Sequence, residues 1–401
     1  MRIAMVSEHA NPLAALGGVD AGGQNVHVDA LAGALVARGH DVIVYTRRDA
    51  SDALPTVLAP AGYTVHHVMA GPPTDIPKDE IWPHMGQFAD ELVRLWTDDR
   101  PDVAHAHFWM SGAATATAAQ RLGIPWAQTF HALGAVKRRH QGPRDTSPID
   151  RIAVETRLCA EADRVVATCR DEVAELERLG MPCGSAVVIP CGVDTDRFTP
   201  QAPPPERDTF QLLTIGRLVE RKGVADVITA LSQLPDACLM VAGGSDSDVL
   251  QLDPEVTRLR QLAEEVGCAD RVTFLGAIEH GQMPTVIGAA DVVVAAPWYE
   301  PFGIVPLEAM ACGCPVVGTA VGGLLDTIEP GRTGDLVAPR DPAGLAAAIR
   351  RLLDDPGRRR AFGRQGAARV RQHYTWPQVA HRTEQALAAL LRHAAPLEVG
   401  P

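Results

Sequence analysis

The sequence has no basic surplus, no long apolar run and no paired-cysteine motif. Its 37 lysine and arginine residues are outnumbered by 49 aspartate and glutamate residues, giving a net charge of −12, which argues against a nucleic-acid-binding protein. No apolar run approaches the roughly 20 residues that span a bilayer. The eight cysteines are scattered, and no signal peptide precedes the first strand pattern. We therefore expect a cytoplasmic protein with reduced thiols, no transmembrane segment and no nucleic-acid partner.

The fingerprint of a dinucleotide-binding fold is also missing. A strand, a glycine-containing loop, a helix and a second strand open the chain, but the loop lacks GxGxxG spacing. Arg47 and Arg48 stand where an acidic residue would hold a ribose. This argues against an NAD-dependent dehydrogenase. Gly22 and Gly23 lie instead at the start of the helix, where a backbone without Cβ atoms could approach a ligand closely.

Strands and helices alternate in two successive series. They are separated by a proline-rich segment over 200–205, which is stiff, extended and typical of an interdomain connector. Such alternation predicts parallel, doubly wound sheets. We expect an N-terminal domain over 1–199, a C-terminal domain over 200–374, and a last helix within 375–401 that packs back onto the first domain.

The stretch WYEPFGIVPLEAMACG is the strongest candidate for a site. A short buried strand precedes it, and the run after Gly303 is typical of a helix. Glu300 would then lie on a loop at the carboxyl edge of the sheet, with Glu308 one to two turns into the helix. The free amides of Gly303, Ile304 and Val305 suit an anion, and two carboxylates suit sugar or ribose hydroxyls. A strand–loop–helix unit with solvated acids fits this spacing equally well.

Cations follow strand ends in both halves of the chain. GRLVERKG places Arg217 and Lys222 on the same predicted edge as Glu300. A cation at about 4 Å offers an anion roughly 4 kcal/mol at an effective dielectric near 20, against about 0.3–1 kcal/mol from a helix N-terminus. A leaving diphosphate would therefore depend mainly on the cations. In the first half, His131 ends a strand and precedes a predicted cationic loop at 137–139.

Two aspartate pairs are spaced to hold a divalent ion, Asp194 with Asp196 and Asp246 with Asp248. Their positions, beside the linker and in a polar loop, favour turn residues instead. We therefore expect no metal site. A strand-end histidine such as His107 is more often a packing residue than a ligand.

In combination, these motifs resemble the retaining glycosyltransferases of family 4 over nearly the whole chain. The matching segments are GGVDAGGQN, HAHFWMSG, TFHALGAVK, VIPCGVDTDRF, GRLVERKG and EPFGIVPLEAMACGCPVVGT. The resemblance implies the α/β GT-B fold, with two Rossmann-like parallel-sheet domains facing each other across a deep cleft. It implies transfer of a hexosyl group, glucosyl or N-acetylglucosaminyl, from a nucleotide-diphosphate sugar, UDP favoured. The acceptor would be a hydroxyl of a small polar molecule. This chemistry requires no protein nucleophile, metal or other cofactor.

The resemblance also assigns roles to residues. Arg217 and Lys222 would neutralise the diphosphate, while His131 and Glu300 would contact the transferred sugar; these four form the predicted catalytic set. Glu308 would hold the ribose. The remaining donor-binding residues would be Gly22, Gly23, Ile278, Phe302, Gly303, Ile304 and Val305.

The acceptor is less narrowly specified. Among family members, the motifs look closest to the actinobacterial inositol-phosphate N-acetylglucosaminyltransferases, whose phosphate-binding positions match Asn25, Lys78 and Arg151. Phe108 and Ala132 stand where that site has a hydrogen-bonding tyrosine and threonine, and neither side chain can donate. The acceptor-binding residues that the resemblance implies are Asn25, Lys78, Phe108 and Arg151.

Other acceptors and other functions therefore stay open. The TFHALG segment is also similar to sucrose-phosphate synthases, and the chain length suits transferases that modify aminoglycosides. An inositol phosphate, a sugar phosphate and an aminocyclitol are all acceptable. A sugar-nucleotide epimerase and a non-catalytic nucleotide-sugar-binding protein on the same fold stay open, as does a homodimer.

Overall fold

The chain forms two compact units. The computed structural model describes residues 1–14, 23–202, 207–245 and 249–394. Unit 1 comprises Met1–Pro190 and Trp376–Pro401, and unit 2 comprises Cys191–Thr375. The proline-rich segment follows the first crossing between the units, and its residues 203–205 lie outside the described ranges.

Unit 1 contains an eight-stranded sheet with the order β3-β4-β2-β1-β5-β6-β7-β8. Its strands are β1 (Arg2–Val6), β2 (Asp41–Arg47), β3 (Thr56–Leu58), β4 (Thr64–Val68), β5 (Val103–His107), β6 (Trp126–Thr129), β7 (Arg164–Ala167) and β8 (Ala186–Val188). All neighbours pair in parallel except β3 and β4, which are antiparallel. The sequence pattern predicts every strand but β3, because three largely exposed residues at a sheet edge are too few to show a period.

Helices follow most strands of unit 1. They are α1 (Gly23–Val36), α2 (Met85–Asp98), α3 (Trp109–Leu122), α4 (Gly134–Gln141), α5 (Arg151–Glu161) and α6 (Arg170–Arg178). In α2 the buried residues recur at helical spacing and include Phe88, Leu92 and Trp96, so one face packs on the core. The segment 137–139, expected as a loop, belongs to α4.

Unit 2 contains a six-stranded parallel sheet with the order β11-β10-β9-β12-β13-β14. Its strands are β9 (Phe210–Ile215), β10 (Ala237–Ala242), β11 (Val272–Gly276), β12 (Val292–Ala295), β13 (Val316–Thr319) and β14 (Gly334–Val337). The helices are α7 (Val224–Leu231), α8 (Pro254–Glu265), α9 (Met283–Gly288), α10 (Ile304–Ala311), α11 (Leu324–Thr327), α12 (Pro342–Leu353) and α13 (Pro356–His373). The two sheets confirm the expected α/β architecture, apart from the antiparallel edge in unit 1.

Each sheet has one point at which the strand order reverses direction. In unit 1 the chain builds outward from β1 on one side and from β5 on the other; in unit 2 it does so from β9 and β12. The connections after such a pair of strands leave toward opposite faces of the sheet. A crevice therefore forms at their carboxyl ends, where ligands bind in open α/β sheets.

The last helix, α14 (Trp376–Ala394), belongs to unit 1 and packs along α1. The Trp376 ring lies 5.5 Å from the ring of His27, and Arg38 Nε donates to a carboxylate oxygen of Glu384 at 2.7 Å. Neither α14 nor any other helix in the described ranges combines the length and the apolar character needed to cross a membrane.

Helix α13 approaches α10 unusually closely. A Cβ atom added at Gly363 would lie 2.0 Å from the carbonyl oxygen of Gly313, which follows α10. A main-chain carbonyl cannot move aside as a flexible side chain can, so this contact requires glycine. The position of α10 therefore depends on α13.

We predict that Gly363→Ala destabilises unit 2 by about 1–3 kcal/mol, since the added methyl group forces the two helices apart. Differential scanning calorimetry would show a lower unfolding temperature. Gly86→Ala in α2 is the matched control, because its Cβ would meet nothing within 4 Å and the gain in helix propensity is about 0.5–1 kcal/mol. Equal destabilisation by both substitutions would contradict the prediction.

Candidate functional site

Two predicted catalytic residues meet at the switch point of unit 2. Lys222 ends a 3-10 helix (Glu220–Lys222) in the connection after β9, and Glu300 lies between β12 and α10. The Lys222 Nζ atom lies 2.5 Å from Oε2 of Glu300, and the two side chains are 20% and 13% exposed. The two residues therefore form a largely buried ion pair that still reaches the surface.

The two loops that carry this pair pack directly on each other. Gly223 has φ +70°, and a Cβ at this position would lie 1.9 Å from the carbonyl oxygen of Ala296. The backbone amide of Trp298 donates to the carbonyl of Arg221 at 2.8 Å, and the Trp298 indole donates to Asp226 at 3.3 Å. These contacts explain why the GRLVERKG turn brings a lysine to the carboxylate that follows β12.

The charges of the pair depend on each other. Burial alone would raise the pKa of Glu300. The Lys222 ammonium, the charge of Arg221, and hydrogen bonds from Lys222 and the Phe302 amide lower that pKa below its ordinary value. Burial lowers the pKa of Lys222, Glu300 raises it, and the charges of Arg221 and Arg217 lower it further. At neutral pH Glu300 is therefore a carboxylate beside several cations.

The predicted backbone donors lie at the start of α10. Gly303 is the N-cap residue with φ +70°, and Ile304 and Val305 are the first two residues of the helix. The carbonyl of Glu300 accepts the amide of Gly323 at 2.8 Å, which fixes the loop before the helix. A helix N-terminus thus adjoins the Lys222–Glu300 pair and adds a partial positive charge to it.

Glu308 is buried in the second turn of α10 and has a partner that the sequence does not suggest. Its Oε1 atom lies 3.0 Å from Nε2 of His280, and Nδ1 of His280 lies 2.6 Å from a guanidinium nitrogen of Arg197. His280 follows β11 two residues after Ile278, which is partly buried in the core of unit 2. The position of His280 after the end of a strand is the one sequence feature that could have identified it as a site residue.

The aspartate pairs give no support for a metal centre. Asp194 Oδ1 accepts the backbone amides of Asp196 and Arg197 at 3.0 and 3.1 Å, which is the geometry of a turn. Asp246 and Asp248 lie outside the described residues. Within the described ranges, no group of three or more histidine, cysteine, aspartate or glutamate residues could hold a metal ion.

In unit 1, three of the four predicted acceptor-binding residues come together. Phe108 follows β5 with φ +83°. The Lys78 ammonium lies 5.9 Å from the centroid of its ring, and the Arg151 guanidinium lies 5.0 Å from the same centroid. The fourth, Asn25, lies in α1, where its side-chain amide donates to the carbonyl of Asn11 at 2.9 Å. Two cations therefore lie close to one aromatic ring at the unit 1 switch point.

The charge of Arg151 is already balanced. Its Nε donates to Glu155 Oε1 at 2.8 Å and its Nη2 to the carbonyl of Ala132 at 2.7 Å, and both charged side chains are almost fully buried. Glu155 also accepts the amide of Gly134 at 2.8 Å. An anion bound here would gain less from Arg151 than from an unpaired guanidinium.

A polar pocket adjoins Lys78. The residues that line it are Glu8, His9, Thr46, Arg47, Asp49, Asp75, Ile76, Lys78 and Ile81. Glu8, two residues after the end of β1, is buried; its carboxylate accepts the Ser111 hydroxyl and lies 2.6 Å from Nδ1 of the neighbouring His9. Sequence reasoning overlooked Glu8, although it follows the first strand. Three carboxylates and two cations in one pocket suit a polyhydroxylated ligand that also carries charge.

His131 belongs to a cluster of four buried histidines. It has φ +62° after β6, and its Nε2 lies 2.9 Å from Nδ1 of His107. Burial lowers the pKa of His27 to about 4 and of His105 to about 3, and it lowers the pKa of His107 and His131 well below the ordinary value. All four rings are therefore neutral at physiological pH. His107, expected to be a packing residue, orients His131.

The cations expected beside His131 are paired with acidic side chains. Lys137 lies 3.0 Å from Asp145, and Arg139 makes two hydrogen bonds, of 2.7 and 2.8 Å, to Glu175. These acids lie within reach because the segment is helical. Of the remaining predicted residues, Gly23 is the first residue of α1, and Gly22 lies outside the described residues.

We predict that Glu300→Gln makes the stability of unit 2 less dependent on acid pH. A carboxylate whose folded-state pKa lies below its unfolded value stabilises the fold above the unfolded pKa, and this contribution is lost as pH falls through the folded pKa. The wild type should therefore lose its advantage over Glu300→Gln as pH falls below the ordinary value of 4.5. Urea unfolding at several pH values measures this, with the exposed Glu264→Gln as control. A pH-independent difference would contradict it.

Known proteins with similar sequences and folds identify the family of the chain. A family model described as Glycosyltransferase Family 4 matches residues 21–197, and one described as Glycosyl transferases group 1 matches residues 196–369. D-inositol 3-phosphate glycosyltransferase 1 of Catenulispora acidiphila is 36% identical, over 95% of this chain and 94% of the relative. The D-inositol 3-phosphate glycosyltransferase of Mycolicibacterium smegmatis is 35% identical, over 98% and 91%.

Among solved structures, sucrose-phosphate synthase from Thermosynechococcus elongatus aligns with a TM-score of 0.89 and 33% identity. The alignment covers 98% of this chain and all of that one. With two Rossmann-like parallel-sheet units, a cation–carboxylate pair at one switch point and whole-length relatives, the chain belongs to the family 4 glycosyltransferases of GT-B fold.

Proposed function

We propose that the protein transfers a hexosyl group, glucosyl or N-acetylglucosaminyl, from a nucleotide-diphosphate sugar to a hydroxyl of a small phosphorylated polyol, with retention of anomeric configuration. The observation that carries the proposal is the Lys222–Glu300 pair at the N-terminus of α10. One side of the pair suits a diphosphate, and the other suits the hydroxyls of the sugar attached to it. UDP is the favoured nucleotide.

The donor would be held by unit 2 in three parts. The diphosphate would lie against Lys222 and Arg217, with the amides of Ile304 and Val305 assisting. The sugar hydroxyls would bind Glu300, whose lowered pKa keeps it an acceptor at neutral pH. Glu308 would accept hydrogen bonds from the ribose. Because Glu300 already balances Lys222, the positive charge is present at the site before the ligand arrives.

The transfer itself exchanges one bond to the anomeric carbon for another. The bond from that carbon to the diphosphate oxygen breaks, and the acceptor hydroxyl forms its bond on the same face. The hydroxyl proton passes to the departing phosphate oxygen, which gains charge as it leaves. Lys222 and Arg217 would stabilise that developing charge. His131, neutral because it is buried, would contact the sugar without contributing charge.

The acceptor would bind in unit 1 beside Lys78. The names of the relatives contain an inositol phosphate and a sucrose phosphate, and a phosphate group fits the two cations near Phe108. Hydroxyls of the same molecule fit the carboxylates of the adjacent pocket. Phe108 itself cannot donate a hydrogen bond. We therefore propose a phosphorylated polyol that is held less tightly than a site with a tyrosine there would hold it.

We predict that Glu300→Ala and Lys222→Ala each abolish transfer while circular dichroism shows an unchanged fold. The decisive experiment is a screen of donors and acceptors by mass spectrometry, with the anomeric configuration of the product read by proton NMR. Arg332→Ala, at an exposed pair with Glu329, is the control with unchanged turnover. Absence of binding to every nucleoside diphosphate in calorimetry, or an inverted product, would refute the corresponding part of the proposal. Conversion of the donor without an acceptor would indicate an epimerase.

We predict further that Phe108→Tyr lowers the KM for inositol 3-phosphate by about tenfold, the effect of one added hydrogen bond to a charged group. The new hydroxyl would extend from a ring whose centroid lies 5.9 Å from the Lys78 ammonium and 5.0 Å from the Arg151 guanidinium. Steady-state kinetics with inositol 3-phosphate and with unphosphorylated inositol measures the effect. An equal change for both acceptors would show that no phosphate binds at this ring.

A further inference from the structure

The contact between His280 and Glu308 is one end of a chain of three side chains. A guanidinium nitrogen of Arg197 lies 2.6 Å from Nδ1 of His280, and Nε2 of His280 lies 3.0 Å from Oε1 of Glu308. We propose that Arg197 and His280 are positioning residues that hold the Glu308 carboxylate for the ribose of the donor. This inference rests on the proposed function, because it deepens the role given there to Glu308.

Arg197 determines which ring nitrogen of His280 carries the proton. A guanidinium can only donate hydrogen bonds, so Nδ1 of His280 must offer its lone pair to Arg197. The proton of the neutral ring then lies on Nε2, which donates to Glu308. The positive charge of the Arg197 guanidinium beside Nδ1 also polarises the ring, which strengthens the hydrogen bond from Nε2 to Glu308. Without Arg197, His280 could place its proton on the nitrogen that does not face Glu308.

Both members of the chain are themselves held in place. Asp194 accepts the backbone amide of Arg197 at 3.1 Å, and its second carboxylate oxygen lies 3.7 Å from Nε of Arg197. The ring of His280 packs 5.2 Å from the ring of Phe198. Arg197 and Phe198 come from the VIPCGVDTDRF motif, for which sequence reasoning had found no role. The motif thus supplies the cation, Arg197, that contacts the Glu308 carboxylate of α10 through His280.

The geometry leaves one oxygen of Glu308 for a ligand. The side chain is 9% exposed and Oε1 is occupied by His280. Within the described ranges Oε2 makes no hydrogen bond. A buried carboxylate with one fixed oxygen is oriented before the nucleotide arrives, so less ordering is required on binding. Ribose hydroxyls donating to Oε2 would complete its hydrogen bonding.

The experiment compares the binding of UDP and 2′-deoxy-UDP by calorimetry, since only the positioned carboxylate should distinguish them. Wild type should prefer UDP by about tenfold or more, the effect of one hydrogen bond to a carboxylate. His280→Phe keeps the ring against Phe198 but removes both hydrogen bonds, and the preference should fall to near unity. Arg197→Met should reduce it partly, and His280→Gln, which retains a donor, should restore much of it. Arg332→Ala is the control.

The outcomes separate this inference from the proposed function. Equal weakening of UDP and 2′-deoxy-UDP in His280→Phe would overturn the positioning role while leaving nucleotide binding intact. Failure of wild type to bind any nucleoside diphosphate would overturn the proposed function. Nitrogen NMR of the ligand-free protein supplies a readout that needs no nucleotide: the His280 proton should lie on Nε2 in wild type and redistribute in Arg197→Met. A proton on Nδ1 in wild type would overturn the chain.

Discussion

The reversal of strand order in a doubly wound sheet is the constraint on which the candidate site of each unit depends. Parallel strands end at one edge, and the connections after the two strands at the reversal diverge. In unit 2 those connections carry Lys222 after β9 and Glu300 after β12; in unit 1 they carry Glu8 after β1 and Phe108 after β5. Lys222 and Glu300, which are 78 residues apart in sequence, therefore meet at one edge of the sheet.

Several charged side chains at these edges have a partner of opposite charge, in direct contact or through one intervening side chain. Lys222 pairs with Glu300, Arg151 with Glu155, and Arg197 with Glu308 through His280. Removing one partner of a buried pair costs roughly 3–5 kcal/mol, because the other charge is left in a poorly solvated position. Such pairings let a unit keep strong charges at a binding surface in the ligand-free state. A charged ligand then meets groups that are already oriented.

The sequence predicts the fold better than it predicts these pairings. Alternating apolar runs locate every strand except β3, and the eight-residue step from Glu300 to Glu308 locates the loop and the helix correctly. Partners across the sheet are invisible to such patterns, since they depend on which loops the strand order brings together. His280 and Glu8 were overlooked for this reason. The helix α4 was missed because a run of lysine and arginine looks like a solvated loop until its acids at 145 and 175 are in place.

Strained backbone conformations also occur at these carboxyl edges of the sheets. In the described ranges three non-glycine residues have positive φ: Phe108, His131 and Arg340. Such a conformation costs about 1–3 kcal/mol and persists only where its surroundings enforce it. The Phe108 ring lies near two cations, and His131 is hydrogen-bonded to His107. The Arg340 guanidinium stacks 3.9 Å from the Trp298 ring, next to the Glu300 loop.

At Gly223 and Gly303 the same kind of backbone conformation is met by glycine. There the main chain itself makes the close contact or begins the helix, so a side chain would obstruct it. At the three strained positions the side chain makes a contact of its own, and a glycine there would lose that contact. Glycine at these edges therefore occupies positions where the main chain packs closely or begins a helix, and strained backbone occurs where a side chain is held in a specific contact.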